Sequence, residues 1–183
     1  MNPSRPSGGN RASGGMRVAY QAPWSLRVSA LTVLGTTVLL LEAALVWFLG
    51  RLAPGNRMLV SAAAAGLLAL LACCALLTVR GYGFDTATLL VYRPLWTTRI
   101  SLEGLRDVVE DPTALRLTLK GIGNGGLFSI LGWRHVDGYG WCRVFATDPK
   151  RAVVLDRDGD HFIVTPDRPR EFVQEAKRWL VAP

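Results

Sequence analysis

Residues 28–49, VSALTVLGTTVLLLEAALVWFL, and residues 58–79, MLVSAAAAGLLALLACCALLTV, decide the architecture of this chain. Each run holds 22 residues; the first carries one ionisable group, Glu42, and the second none. At about 1.5 Å of rise per residue, a helix of that length reaches roughly 33 Å, enough to cross a hydrocarbon core of about 30 Å. The first run is also longer than the roughly 7 to 15 apolar residues of a cleavable signal core. The link between the runs, GRLAPGNR at 50–57, is short and turn-rich, so the two helices are expected as antiparallel neighbours.

Arginines orient the hairpin. Arg5, Arg11, Arg17 and Arg27 precede it, Arg80, Arg93 and Arg99 follow it, and only Arg51 and Arg57 lie in the link. The positive-inside tendency then places both termini in the cytoplasm, in a multi-pass protein of the cell membrane. Trp24 and Trp47, near the two ends of the first helix, suit interfacial belts. Glu42 is the intramembrane polar residue. In a regular hairpin it faces Ala64 and Ala65, with Ser61 a turn away, and the plain reading is a protonated or hydrogen-bonded side chain at the helix–helix contact. Ala62 and Gly66 give the second helix a small-residue strip suited to close packing.

Charge is segregated. Residues 1–80 hold seven arginines against one acid, whereas residues 81–183 hold fourteen Lys/Arg against thirteen Asp/Glu. The basic excess (net +7) therefore belongs to the membrane flanks. A nucleic-acid module would carry it on its folded face, so nucleic-acid binding is not expected. Cys73, Cys74 and Cys142 match neither a disulfide framework nor a zinc spacing. The domain reading is a disordered basic tail over 1–24, a two-helix hairpin over 25–80 and a folded cytoplasmic domain over 81–183. The tail's Pro, Ser, Gly, Asn and Arg cannot bury a core.

Beyond residue 80 the pattern changes to short alternating runs. Strands are predicted at 82–85, 88–92, 97–102, 105–109, 115–119, 141–146, 152–156 and 161–165, with turns at Asp111-Pro112, Asp148-Pro149 and Asp158-Gly159. Short strands without intervening helices predict an antiparallel barrel or sandwich. Residues 169–180 are the helical exception. Phe172, Val173, Ala176, Trp179 and Leu180 fall on one stripe, and Pro169 suits the first turn. The fold class is thus a transmembrane α-hairpin plus an all-β barrel or sandwich capped by a C-terminal helix.

Several motifs are weaker than they look. Gly121-Ile-Gly-Asn-Gly-Gly126 fits G-x-G-x-x-G, but no strand–helix unit surrounds it, so a mobile loop over 121–140 is expected rather than a cofactor site. That loop carries Leu127, Phe128, Ile130, Leu131 and Trp133. They suit insertion into the bilayer, a partner surface, or a return into the core. Phe128 and Trp133 are the candidate contact residues. Asp156-Arg-Asp-Gly-Asp160 resembles the opening of a calcium loop without its distal Glu, and reads as a hairpin turn. His135, His161, Ser101, Ser129 and Cys142 assemble no catalytic or metal-binding constellation. No catalytic residue, metal ligand or cofactor is expected.

YQAPWS (20–25), YRPLWTTRISL (92–102), the glycine-rich stretch through Gly126-Leu127-Phe128, RVFATD (143–148) and IVTPD (163–167) follow one another in an order that resembles the bacterial PH-like domain family. This order covers nearly all of residues 20–181. The resemblance implies a PH-type domain behind two membrane helices in a bacterium. The lipid site common among PH domains uses a basic cluster between the first two strands; here that loop is Thr86-Ala87, with no basic residue. The expected function is a membrane-anchored, non-catalytic binding module for a protein partner or for self-association. The alternative is direct recognition of anionic lipid head groups, which needs Arg93, Arg99, Arg134 and Arg143 grouped toward the bilayer.

Overall fold

The computed structural model describes residues 20–52, 55, 57–116 and 121–180. The disorder expected of residues 1–19, much of the inter-helix link, and most of a strand at 115–119 lie outside the described residues. Two helices form the hairpin, α1 (Leu26–Leu52) and α2 (Arg57–Leu76). Both are long and apolar enough to cross a membrane, and only 11% and 6% of their most apolar windows are buried. A core helix of a soluble protein would bury far more. A Cβ on Gly50 of α1 would lie 2.4 Å from Val60 Cγ1 of α2, so the helices touch closely near the turn, where no larger side chain fits.

Glu42 does not serve that contact. It is exposed, while its neighbour Ala43 and Ala64 of α2 are buried. One residue is a rotation of about 100°, enough to turn the carboxylate off the seam. Ala62 and Gly66 are exposed as well, with open space over Gly66. Gly50, in α1, makes the close approach instead.

The rest of the chain is a sandwich of two sheets. The first runs β1 (Tyr20–Gln21), β2 (Gly81–Asp85), β3 (Thr88–Tyr92), β4 (Thr97–Ser101), in that spatial order. The second comprises β5 (Leu105–Glu110), β6 (Gly121–Gly125), β7 (Ile130–Val136), β8 (Gly140–Ala146), β9 (Val153–Arg157) and β10 (Asp160–Val164), ordered β5-β9-β10-β8-β7-β6. It is not purely antiparallel, because β10 pairs with β8 in parallel after a short 3₁₀ turn over Pro149–Arg151. Between the sheets, Tyr82, Leu89, Val91 and Ile100 meet Leu105, Val108, Phe145, Leu155 and Phe162. The last helix, α3 (Pro169–Ala176), continues as a 3₁₀ turn over Lys177–Trp179. It inserts fully buried Phe172 against Tyr20, Tyr82 and Phe84. The sheets do not close, so of the two expected forms the sandwich is the observed one. Asp158-Gly159 joins β9 to β10 with positive φ at both residues, the geometry that favours Asp-Gly in a two-residue hairpin.

The arm ahead of α1 departs from the domain boundaries expected above. Residues 20–24 are not tail but part of the sandwich. β1 pairs with β2, Asp167 N donates to Gln21 O, and Ser25 N donates to Thr147 O. A buried polar chain ties this arm inward. The Tyr82 hydroxyl donates to Phe145 O (2.6 Å) and accepts from Thr165 N. Thr147 N donates to the Thr165 hydroxyl, and the Thr147 hydroxyl donates to Pro23 O. Burial pushes the Tyr82 phenol up to about 12, so it stays a donor. The helical hairpin is thus an insertion between the first two strands of one sheet, and α1 starts and α2 ends on the domain's side. Alternation revealed most strands outside residues 121–140, but a two-residue strand has too little pattern to be read.

Candidate functional site

The segment expected to be a mobile loop is instead the hairpin β6–β7, extended by β8. Gly123 and Gly132 face each other across it, with φ of +137° and +116°. A Cβ on either would lie 2.2 Å from a carbonyl oxygen of the opposite strand. The glycines therefore permit a close strand crossing, and the G-x-G-x-x-G match lies on β6 and its turn rather than at the opening of a helix.

Pairing register sorts the side chains into two faces. Ile122, Trp133 and Arg143 align on one face, with Asn124, Leu131 and Phe145 on one side of them and His135 and Trp141 on the other. This face begins inside the inter-sheet core at Leu131 and Phe145 and runs outward until, among the described residues, little covers it. Ile122 is 78% exposed, Trp133 47% and Trp141 53%. Arg143 lies over the rings of Trp133 (5.8 Å) and Phe145 (5.6 Å). Arg93, after β3, lies over Phe145 (5.5 Å) and Trp96 (5.7 Å) and donates to Leu77 O at the end of α2. The result is a ladder of alternating rings and guanidiniums, Trp96–Arg93–Phe145–Arg143–Trp133. Burial, then the neighbouring charge of Arg143, lowers the pKa of Arg93.

The hairpin's tip behaves differently. Phe128 has φ +65°, costly for a bulky residue, and its N–H donates to Thr32 Oγ1 of α1 at 2.8 Å. Its ring meets Trp24 edge-on at 6.2 Å. Leu127 packs so closely on Gly35 that a Cβ there would lie 2.8 Å from Leu127 Cδ1. Val28 and Thr32, one turn apart on α1, are 1% and 6% exposed. The tip thus holds the first two turns of α1.

A family model described as "Bacterial PH domain" matches residues 80–179, more than half of the chain. The chain belongs to that family. No curated protein and no solved structure matches it. PH domains are in general non-catalytic binding modules for proteins or lipids, and the class of function follows from the family.

Within this PH domain, the candidate residues separate. Phe128 lies against α1 and Trp133 stands on the open face. Arg93 and Arg143 come together around Phe145. Arg134 pairs with Cys142 on the opposite face of the sheet and donates to Asn124 O. Arg99 is exposed on β4 opposite Leu90, in the other sheet. The loop between β2 and β3 is Thr86-Ala87 and carries no charge. His161 lies beside Asp156 (3.9 Å), whose carboxylate accepts from Gly159 N within the β9–β10 turn. Trp141 and Ile122 were not singled out by sequence reasoning. The pairing of Trp141 with His135 and of Ile122 with Trp133 puts them on the open face, and register is invisible before the strands are known.

Proposed function

We propose that this chain is an integral membrane protein whose PH domain, held at the cytoplasmic face, is a non-catalytic module taking a protein partner, a second copy included, on the open face of β6–β8. The observation that carries this reading is the uncovered row of Ile122, Trp133 and Trp141 with Arg143 among them. Trp and Arg are the residue types that dominate protein interfaces, because they bury large area at low entropic cost and retain a polar handle. Position supports a protein over a bilayer as occupant. The tip lies at the first turns of α1, and β7 rises about 3.3 Å per residue away from it, carrying His135 and its β8 partner Trp141 outward. Both termini of the hairpin adjoin the domain, and the arginine excess on that side argues for the cytoplasm. The domain is also tied to the hairpin through β1, the Thr32 clasp, the packing of Leu127 on Gly35 and the Arg93–Leu77 bond. An anchor of that kind presents the face in one orientation.

Lipid recognition by the four arginines has narrower support. Arg93 adjoins the end of α2 and Arg143 shares Phe145 with it, but Arg99 and Arg134 lie on other faces. The test uses the full chain in native membranes. Trp133→Ala with Trp141→Ala is expected to abolish chemical crosslinking of the domain to its partner while leaving its melting temperature unchanged. Retained crosslinks would refute the face. A reporter fused after Pro183 that is active only outside the cytoplasm would refute the orientation.

A further inference from the structure

On the other side of the second sheet a cleft of about 820 Å³ opens between the domain and the start of α1. Arg27, Arg116 and Lys150 line it, all exposed, and none is in an ion pair among the described residues. One acid lines it too, Asp148, but Arg151 holds that carboxylate at 3.3 Å and Lys150 N donates to it. Trp24, Leu26 and Leu115 supply an apolar floor. The cleft does not end there. Leu26 and Ala30 also line a second, apolar groove of about 540 Å³ that continues along α1 past Val33 and Leu34 to Thr37. Three unneutralised cations therefore sit at the head of an apolar track on a helix long enough to span a bilayer.

We propose that this cleft and groove bind one anionic phospholipid of the surrounding membrane. Its phosphate and head group lie among Arg27, Arg116 and Lys150, and an acyl chain follows α1. Cationic charge without a carboxylate partner selects an anion, and the contiguous apolar groove selects a lipid over a free phosphate. The site is separate from the β2–β3 loop and from the Arg93–Arg143 ladder. It rests on α1 lying in the membrane, as in the proposed function.

The test is native mass spectrometry of the full chain in mild detergent, titrated with phosphatidylglycerol or phosphatidylcholine. One phosphatidylglycerol should be retained in preference, since each basic residue beside an anionic head group contributes about fivefold in affinity. Arg27→Gln, Arg116→Gln and Lys150→Gln together should lower phosphatidylglycerol retention by about a hundredfold, with an unchanged melting temperature. Arg51→Gln with Arg57→Gln, at the far end of the hairpin, should leave it unaltered. Equal retention of the two lipids by the wild-type chain would overturn the proposal, and so would an unaffected triple variant. Displacement of the lipid by inorganic phosphate at matched concentration would overturn it too, making the cleft a soluble-anion site. Alkaline carbonate extraction of native membranes reports separately on the membrane reading. Release of the chain there would sink that reading, while the detergent titration would still decide lipid selectivity.

Discussion

Phe128 and Trp133 belong to one β-hairpin, and both look out of place in a glycine-rich segment, yet they meet opposite environments. Phe128, at the tip, is held in a left-handed backbone conformation by the Thr32 hydroxyl and lies edge-on to Trp24. Trp133, on β7, keeps 47% of its surface and lies under the Arg143 guanidinium. The first residue joins the PH domain to its own helix; the second stays half exposed among the described residues. An apolar side chain that looks exposed in sequence is therefore of two kinds. Only the kind left bare after the hairpin has docked is available to another molecule.

The comparison can be broken most severely at the crossing that supports both ends. Gly132→Val forces a Cβ to within 2.2 Å of Ile122 O at a φ of +116°. It should cost about 3 kcal/mol in denaturant melts of the full chain in micelles, and hydrogen exchange should show β6 lifting from β7. Next comes the contrast itself. Phe128→Ala should cost about 2 kcal/mol, less than a fully buried ring because its burial is partial. Trp133→Ala should stay within about 0.5 kcal/mol. Equal losses would erase the distinction between the two residues.

Thr32→Val probes the clasp without touching either ring. It strands the Phe128 N–H and should cost about 1 to 3 kcal/mol, read as faster hydrogen exchange confined to the tip. The smallest effect concerns the turn over the opposite face of the sheet. There Asp111 accepts from the Thr113 hydroxyl and N–H and from the Tyr139 hydroxyl, which hold its carboxyl below the usual 3.8. A depressed carboxyl contributes stability above its unfolded pKa and loses it as pH falls through the folded value. The stability difference between wild type and Asp111→Asn should therefore be constant near neutrality and shrink below about pH 4.

Much of this fold was legible because its signals are long or repeated. Two apolar runs of membrane length, short apolar strands such as residues 88–92, and the Phe172–Ala176 stripe each carry several concordant residues. What stayed hidden needed information that no local window holds. Residues 20–21 form a strand only because β2 lies beside them. Glycines 121–126 read as a loop because their conformations are set by a partner strand at Gly132. The row Ile122, Trp133, Trp141 exists only once register is known, and the cationic cleft joins Arg27 to Arg116 and Lys150 across the whole domain.

Site-specific photocrosslinking from the two contrasted positions tests the central claim most directly. A benzoylphenylalanine placed at position 133 of the full chain in native membranes should form adducts with a second polypeptide, at the mass of a dimer or of another protein. The same group at position 128 should form adducts only within the chain, to peptides from the start of α1. Adducts to α1 from position 133, or intermolecular adducts in equal yield from both positions, would contradict the division between a docked tip and a free binding face.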